Sequence, residues 1–320
     1  MNKKFLMMTI FLFSLIVSFF LSLMNGSVEI SSAQIFGNEI IDETKRQILM
    51  NIRLPRTIVA VLIGINLSLS GAILQAVMKN PLADPHIIGI SSGAGLFGIF
   101  VMLVNGNSFL VTPAAFVGAM FAAFLIYILA WKDGIRPIRI ILAGVAVSAF
   151  LGAGISAMLI FYRDKVHSAL LWMVGGLSAR SWNHVEILYP YTIIGMILTF
   201  LSARHLNILQ LGDEVAKGLG LRVDLVRTFL TAIAALLAAS AVCVVGLLGF
   251  VGLIIPHTAR LLIGSDYKFL LPASALLGAA VLTFSDTFAR TVFAPIELPV
   301  GILTAILGAP FFLFLLRKQL

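Results

Sequence analysis

Few side chains in this sequence are placed to do chemistry. Asp286 and Arg290 stand four residues apart on one face of a predicted helix, where they either form a helix-stabilising ion pair or serve a function. Five histidines occur, at His86, His167, His184, His205 and His257. No two of them have metal-ligand spacing on one helix, and the lone Cys243 permits neither an intrachain disulfide nor a cysteine zinc site. We therefore predict no metal, no cofactor and no catalytic site.

Two nucleotide-binding patterns bear on whether the chain could be an enzyme. The segment GAGLFG at residues 93–98 matches the dinucleotide fingerprint as a string. No strand is predicted before it, so we interpret it as a helix face that allows close packing. The P-loop pattern GxxxxGK[ST] does not occur in the sequence. We expect a chain that is not an enzyme, and any ATP hydrolysis would take place on another subunit.

The composition predicts a membrane protein. The 320 residues are 60% hydrophobic and 11% charged, with a mean hydropathy of +1.07; soluble domains are about 45–50% apolar. Runs of about 20 apolar residues match the thickness of the hydrocarbon core, where backbone polar groups must be satisfied within a helix. We predict an all-α polytopic membrane protein that forms a single domain over residues 1–320.

Ten transmembrane helices are predicted. They cover approximately Phe5–Met24, Ile58–Met78, Ile87–Val104, Phe109–Trp131, Ile138–Tyr162, Ile187–Ala203, Thr228–Gly246, Gly249–Gly264, Leu270–Ala289 and Ile296–Leu316. Basic residues at both termini favour the cytoplasm, which requires an even number of crossings, so the uncharged stretch 228–255 is divided at its glycines, Gly246, Gly249 and Gly252. This orientation also accounts for the net charge of +8 without nucleic acid binding.

Two features of the predicted helices are open to a functional interpretation. Small residues recur at spacing four in the fifth helix, at Gly144, Ser148, Gly152 and Ser156. Such a stripe is typical either of tight helix packing or of the wall of a wide passage. The segment RLPR places Arg53 and Arg56 at the outer mouth of the second helix, where they either snorkel or receive an acidic protein.

The longest polar connection is the segment Arg204–Arg227. It is basic, contains glycines, and carries the acidic pair Asp213 and Glu214 between two apolar stretches. The segment is either a solvated connector or an element that docks a partner, and its length and charge pattern favour the docking element.

Three further segments resemble a known family. They are NPLADPHIIGISSGAG at 80–95, GFVGLIIPHTARLLIG at 249–264 and ELPVGILTAILGAPFF at 297–312. All three are similar to signature segments of the FecCD-type permeases, the membrane subunits of ABC importers for ferric siderophores, haem and cobalamin. With RLPR and the loop at 211–221, the resemblance covers nearly the whole chain after the first helix. It implies a type II importer fold like that of the cobalamin importer permease.

The resemblance also implies partners. The expected assembly contains a second permease chain, with a homodimer as the simpler arrangement, two ATPase subunits and a periplasmic or lipid-anchored substrate-binding protein. The expected location is the bacterial cell membrane, with both termini in the cytoplasm. The expected cargo is an iron chelate, first a ferric siderophore and then haem or cobalamin.

Particular residues acquire expected roles from this resemblance. Arg53, Arg56 and Arg290 match positions that receive acidic residues of the binding protein, which would orient docking. The coupling loop, residues 204–227, would seat in the ATPase through Gly212, Asp213, Glu214, Ala216, Gly218, Leu219 and Gly220. The translocation path would follow the stripe Gly144, Ser148, Gly152 and Ser156. At the cytoplasmic gate the sequence departs from the family, because Pro137 and Ile138 replace small hydroxyl residues, so gate details are not transferred.

The alternative is an ion-coupled secondary transporter. Such a carrier would usually place carboxylates or broken helices at the bilayer midplane. Asp286 and Glu297 are instead predicted near the outer surface, which weakens the alternative.

Overall fold

The computed structural model describes residues 3–26, 28–35, 40–86, 89–132 and 137–319. Within these residues the chain forms fifteen α-helices. They are α1 (Lys3–Met24), α2 (Ser32–Ile35), α3 (Glu43–Ile48), α4 (Leu54–Val77), α5 (Ile90–Phe100), α6 (Ser108–Ala130), α7 (Pro137–Phe161), α8 (Val166–Val174), α9 (Trp182–Leu201), α10 (Ala203–Gln210), α11 (Asp213–Gly218), α12 (Val223–Val245), α13 (Val251–Ile263), α14 (Tyr267–Thr291) and α15 (Val300–Gln319). Short π-helical segments, Leu49–Arg53 and Val101–Asn105, precede α4 and follow α5.

Seven helical stretches within the described ranges are long and apolar enough to cross a bilayer. They are Lys3–Met24, Glu43–Val77, Ser108–Ala130, Pro137–Phe161, Trp182–Leu201, Val223–Val245 and Tyr267–Thr291. Three shorter apolar stretches are Ile90–Asn105, Val251–Ile263 and Val300–Leu315. Each predicted span overlaps one of these stretches, although the predicted start of the third span, Ile87, lies outside the described residues. The all-helical membrane class is confirmed, whereas the count of ten crossings and the side of the termini stay predictions.

The helices differ in how far they are buried. Helices α4, α12 and α14 are mostly buried, and α4 packs against both of the others at the centre of the chain. In helices α1, α6, α7 and α9 most residues are at least partly exposed, including many large apolar side chains. An apolar helix that stays exposed must face lipid or another protein chain. The central helices therefore hold the fold, while the outer ones are available to the bilayer and to partners.

Glycines allow the buried helices to approach each other closely. A Cβ built on Gly71 of α4 would lie 1.9 Å from the carbonyl oxygen of Gly252 in α13, and one on Gly64 would lie 2.3 Å from that of Gly278 in α14. Gly93, within GAGLFG, faces the Gly118 carbonyl oxygen in the same way, at 2.1 Å. The interpretation of GAGLFG as a packing face is thus confirmed.

The predicted break after the seventh span is present. Helix α12 ends at Val245, Gly246 adopts a φ of +82°, and α13 begins at Val251. Glycine reaches this left-handed region without the steric cost of a side chain. The predicted start of the tenth span at Ile296 is wrong, because α15 begins only at Val300. Pro299 disfavours a helical conformation in the residue before it.

Candidate docking, path and coupling sites

Arg56 forms the centre of a buried ion-pair network. Its Nε and Nη2 donate to Asp286 Oδ2 and Oδ1, both at 2.9 Å, and its Nη1 donates to Glu297 Oε2 at 2.8 Å. Ser178 Oγ donates to the same Glu297 oxygen at 3.1 Å. The network joins α4 and α14 to the loops before α15 and α9. Asp286 thus pairs with Arg56, and the helix-stabilising pair with Arg290 considered from the sequence is not the observed arrangement.

The other two arginines are also held by the chain itself. Arg53 Nη1 donates to the carbonyl oxygens of Leu23 at 2.7 Å and Met24 at 2.9 Å, and so satisfies orphan carbonyls at the end of α1. Arg290 Nη2 donates to the backbone oxygen and the hydroxyl of Ser22. Ser22 in turn lies 2.7 Å from the hydroxyl of Thr57 in α4.

The three predicted docking arginines therefore gather at one end of the bundle, but each is buried. Their side chains are not presented on the surface, and snorkelling does not describe them either, because their charged groups bond to protein atoms rather than reaching solvent. Glu297 differs, since its side chain is 45% exposed. Burial raises the pKa of Glu297, but the bond to Arg56 and the charge of Arg56 lower it more, so that it lies below its usual range.

The small-residue stripe on α7 is divided in two. At Gly144 and Ser148 the helix packs on Gly89, where a Cβ would lie 2.7 Å from Ser148 Oγ and 3.1 Å from the Gly144 oxygen. Gly152 has no neighbouring atom within 4 Å of a Cβ built on it, and Ser156 is exposed. The first half of the stripe is therefore a packing contact within the chain, and the second half is open.

The two predicted gate residues lie at the start of α7. Pro137 takes the first helical position, where its missing N–H costs no hydrogen bond. Ile138 is exposed. Residues 133–136, which precede them, lie outside the described ranges.

The predicted coupling loop folds as α10 and α11, joined at Gly212, whose φ is +107°. Asp213, the first residue of α11, is clamped by Lys79 Nζ at 2.7 Å and by Arg227 Nη2 at 2.9 Å. Burial raises the pKa of Asp213, but the bonds to Lys79 and Arg227 lower it more, so that it lies below the usual value. The clamp ties α11 to the end of α4 and to α12.

The remaining predicted contact residues of this loop differ in accessibility. Ala216 is buried, and it anchors α11 on the bundle. Glu214, Gly218, Leu219 and Gly220 are exposed. Gly220 has a φ of +82°, so it turns the chain from α11 into α12.

The sequence interpretation missed two exposed apolar residues of this segment. Leu211, Val215 and Leu219 are all exposed, and we name them the apolar ridge. Val215 lies four residues before Leu219, a spacing typical of one helix face, and this was the signal that could have identified it. Leu211 lies before the bend at Gly212, at the end of α10. An exposed apolar row rimmed by polar residues is typical of a protein-docking surface.

The arginine network and α11 lie at opposite ends of α4. Arg56 is near the first residue of that helix, and Lys79 follows its last. A helix of this length spans about 36 Å at the α-helical rise, close to the thickness of a bilayer. The first end of α4 lies at the buried arginines. The last end lies at α11, which is held by the ion pairs of Asp213 and exposes apolar side chains. These features define an integral membrane protein whose helix α4 extends from the arginine network to α11.

Comparisons with known proteins identify the family. Residues 14–318 match the FecCD transport family, and the chain belongs to that family, as the signature segments predicted. The Fe(3+)-citrate import system permease protein YfmE of Bacillus subtilis is 41% identical over 308 residues, covering 95% of this chain and 92% of the relative. The cobalamin import system permease protein BtuC of Halobacterium salinarum is 42% identical, covering 87% and 76%.

A solved structure has the same fold. It is an inward-facing conformation of an ABC transporter assigned to the metal-chelate type, with a TM-score of 0.89 and 28% identity, covering 97% of this chain and 98% of the other. Together with the family match, this likeness makes the chain an ABC importer permease.

Proposed function

We propose that this chain is the permease subunit of a binding-protein-dependent importer that moves an iron chelate across the bacterial cell membrane. A ferric siderophore is the first candidate, followed by haem or cobalamin. ATP hydrolysis takes place on two partner subunits, and a second copy of the chain completes the membrane pathway through ten helices per copy. The family match and its iron-chelate and cobalamin relatives support this proposal.

The observation that carries the proposal is the geometry of α11. The clamp at Asp213 and the buried Ala216 fix the helix on the bundle. The apolar ridge and the predicted contact residues Glu214, Gly218 and Gly220 face outward. Because α11 is held on the bundle and exposes apolar side chains, a partner that binds it can transmit its motion to the attached helices. We therefore assign the ATPase seat to α11 and its flanks.

A partly buried polar network supports the transmission of motion from α11 and its flanks. Gln210, at the end of α10, and Arg260 of α13 both donate to Tyr267 Oη, at 3.4 and 3.3 Å. Arg260 also donates to Gln75 Oε1 at 3.1 Å, and Gln75 Nε2 donates to the Leu253 carbonyl oxygen at 3.2 Å. These bonds connect α10 to α4, α13 and α14, so a displacement of α10 reaches the helices at the centre.

The seat is tested with an affinity-tagged chain purified from native membranes. We expect an ATPase subunit and a binding protein to co-purify and to be identified by mass spectrometry. The double variant Val215→Asp with Leu219→Asp should lose the ATPase and the uptake of radioactive iron chelate, because it places charges in an apolar contact. The double variant Val215→Leu with Leu219→Met, which stays apolar, should retain both.

Two results would contradict this proposal. Normal ATPase recovery with the double aspartate variant would remove the seat from α11. Full transport by the chain reconstituted alone would replace the importer with an ion-coupled carrier.

For the outer end we propose an indirect docking role for Arg53, Arg56 and Arg290. The three arginines outnumber the two carboxylates they surround, Asp286 and Glu297, which leaves a net positive charge beneath the surface. Such a charge attracts an acidic partner and increases the association rate more than it strengthens the final complex. The association rate of the binding protein should therefore fall as salt rises, and a salt-independent rate would contradict this role.

For the passage we propose that the open part of the α7 stripe, Gly152 and Ser156, lines the path between two copies of the chain. The gate is proposed at Pro137 and Ile138, at the start of the same helix. A Ser156→Cys variant should form a disulfide-linked dimer on oxidation if two copies meet there, whereas Ala216→Cys, which is buried, should not. An unlinked Ser156→Cys chain would move the path away from this face.

A further inference from the structure

A cavity of about 760 Å³ lies beside the arginine network, on the side of α8 and α9. Its wall is of mixed polarity, and the apolar part includes Phe109, Trp172, Ile187 and Val244. The charged residues in the wall are Arg180 and Glu297. None of the proposed path residues on α7 lines it. The volume is within the range of small-molecule sites, about 300–1,000 Å³.

Arg180 is a partly buried cation that forms no ion pair with a carboxylate within the described residues. Its Nε has no hydrogen-bond partner. Its Nη1 lies 3.3 Å from His184 Nε2. The backbone N–H of Ser181 donates to His184 Nδ1 at 3.2 Å, so in the neutral ring the proton is assigned to Nε2. Two donors then face each other, and the histidine does not satisfy the arginine.

The surrounding charges favour an anion at this position. Burial, together with the charge of Arg56, lowers the pKa of Arg180 to about 10, so the group stays cationic near neutral pH. Glu297 is bonded through Oε2 to Arg56 and Ser178, and it forms no ion pair with Arg180 in the part of the chain that the structure describes. The buried Nε of this cation is costly to leave without an acceptor, and a ligand that supplies one is favoured.

We propose that this cavity binds a small organic carboxylate with an apolar body, such as an aromatic acid. The planar guanidinium of Arg180 matches a carboxylate in a two-bond arrangement. The aromatic and aliphatic wall formed by Trp172, Phe109 and Ile187 covers the body of the ligand. Asn183 and Thr112, which also line the cavity, supply further polar groups. This site is separate from the transport path and the ATPase seat proposed above.

The test uses the full purified chain in lipid nanodiscs, with no ATPase or binding protein present. Benzoate is titrated by calorimetry against the wild type, Arg180→Gln, Arg180→Lys and the control Arg163→Gln, which removes an exposed arginine. We expect saturable binding by the wild type and by the control. Loss of the charge-assisted bonds should weaken binding about 10- to 100-fold in Arg180→Gln. Arg180→Lys should be intermediate, since it keeps the charge without the planar fork.

Two further probes determine the ligand class. Benzamide has the same shape as benzoate without the charge, and it should bind at least about tenfold more weakly. Inorganic phosphate lacks the apolar body and should also bind more weakly. Absence of benzoate binding, equal binding of benzamide or phosphate, or unchanged affinity in both Arg180 variants would overturn the proposal. Because the titration needs no transport, its outcome is independent of the importer assignment.

Discussion

Replacing Arg56 should destabilise the protein as a whole, beyond any change in docking. The Asp286 side chain is 1% exposed and receives two hydrogen bonds from Arg56 at 2.9 Å. In Arg56→Gln that carboxylate stays buried without its counter-ion. An exposed docking arginine would not have this effect, so the substitution separates a structural role from a contact role.

The expected cost follows from the burial of the pair. Removing one partner of a buried ion pair costs about 3–5 kcal/mol, because the remaining charge is not compensated. The bond to Glu297, which is 45% exposed, adds at most about 1 kcal/mol. The double variant Arg56→Gln with Asp286→Asn removes both charges. We expect it to be more stable than Arg56→Gln alone, since two neutral amides can bond to each other.

The assay is reversible unfolding of the purified chain by denaturant in mixed micelles, followed by circular dichroism. Arg46→Gln, which changes an exposed arginine, is the control and should shift the free energy of unfolding by about 0.5 kcal/mol or less. The reasoning is refuted if Arg56→Gln is as stable as the control, or if the double variant is the least stable of the three. Lost binding-protein affinity at unchanged stability would instead make Arg56 a direct docking contact.

Three further predictions concern packing, pH and backbone conformation. Gly71→Ala should lower the melting temperature, because its Cβ would lie 1.9 Å from a carbonyl oxygen of α13, whereas Gly152→Ala should not, since no atom lies within 4 Å. The ion pairs of Asp213 should weaken on acidification, because the pKa of Asp213 is lowered in the folded chain. Their contribution to the free energy of unfolding is below about 1 kcal/mol, since the side chain is 40% exposed. This contribution is present above the ordinary carboxyl pKa and is lost as the pH falls through the lowered pKa of the folded chain. The pH dependence of unfolding in this acid range should be smaller in Asp213→Asn, and an unchanged profile would contradict the clamp. Gly220→Ala should lower the free energy of unfolding by about 1 kcal/mol and reduce uptake per ATP hydrolysed, because the φ of Gly220 is +82°. Gly218→Ala should leave the free energy of unfolding nearly unchanged. Equal unfolding free energies for the two variants would contradict this assignment.

Several features could be predicted from the sequence because they depend on local chemistry. Apolar runs of bilayer length predict membrane helices wherever they fall. Gly246 predicts a helix end, since it reaches a φ of +82° without steric cost. Glycines spaced as in GAGLFG predict close helix packing. The family could be recognised for a similar reason, because its signature segments are continuous in sequence.

Other features depend on which helices pack against each other, and the helix pairing could not be predicted from the sequence. Arg56 and Asp286 are separated by 230 positions in the sequence. Arg290, four residues from Asp286, was a nearer candidate for its ion-pair partner. Only the packing of α4 against α14 determines the pair. In the same way, the division of the α7 stripe depends on Gly89 packing against Gly144 and Ser148.

The membrane class, the helix breaks and the family were thus determined by the sequence alone. The burial of the three arginines, the exposure of the apolar ridge and the cavity around Arg180 were determined by the tertiary structure. The physical reason is the range of the interactions. Hydropathy and backbone conformation act within a few residues, whereas the partner of a buried charge is whatever group the packed helices bring within hydrogen-bond distance.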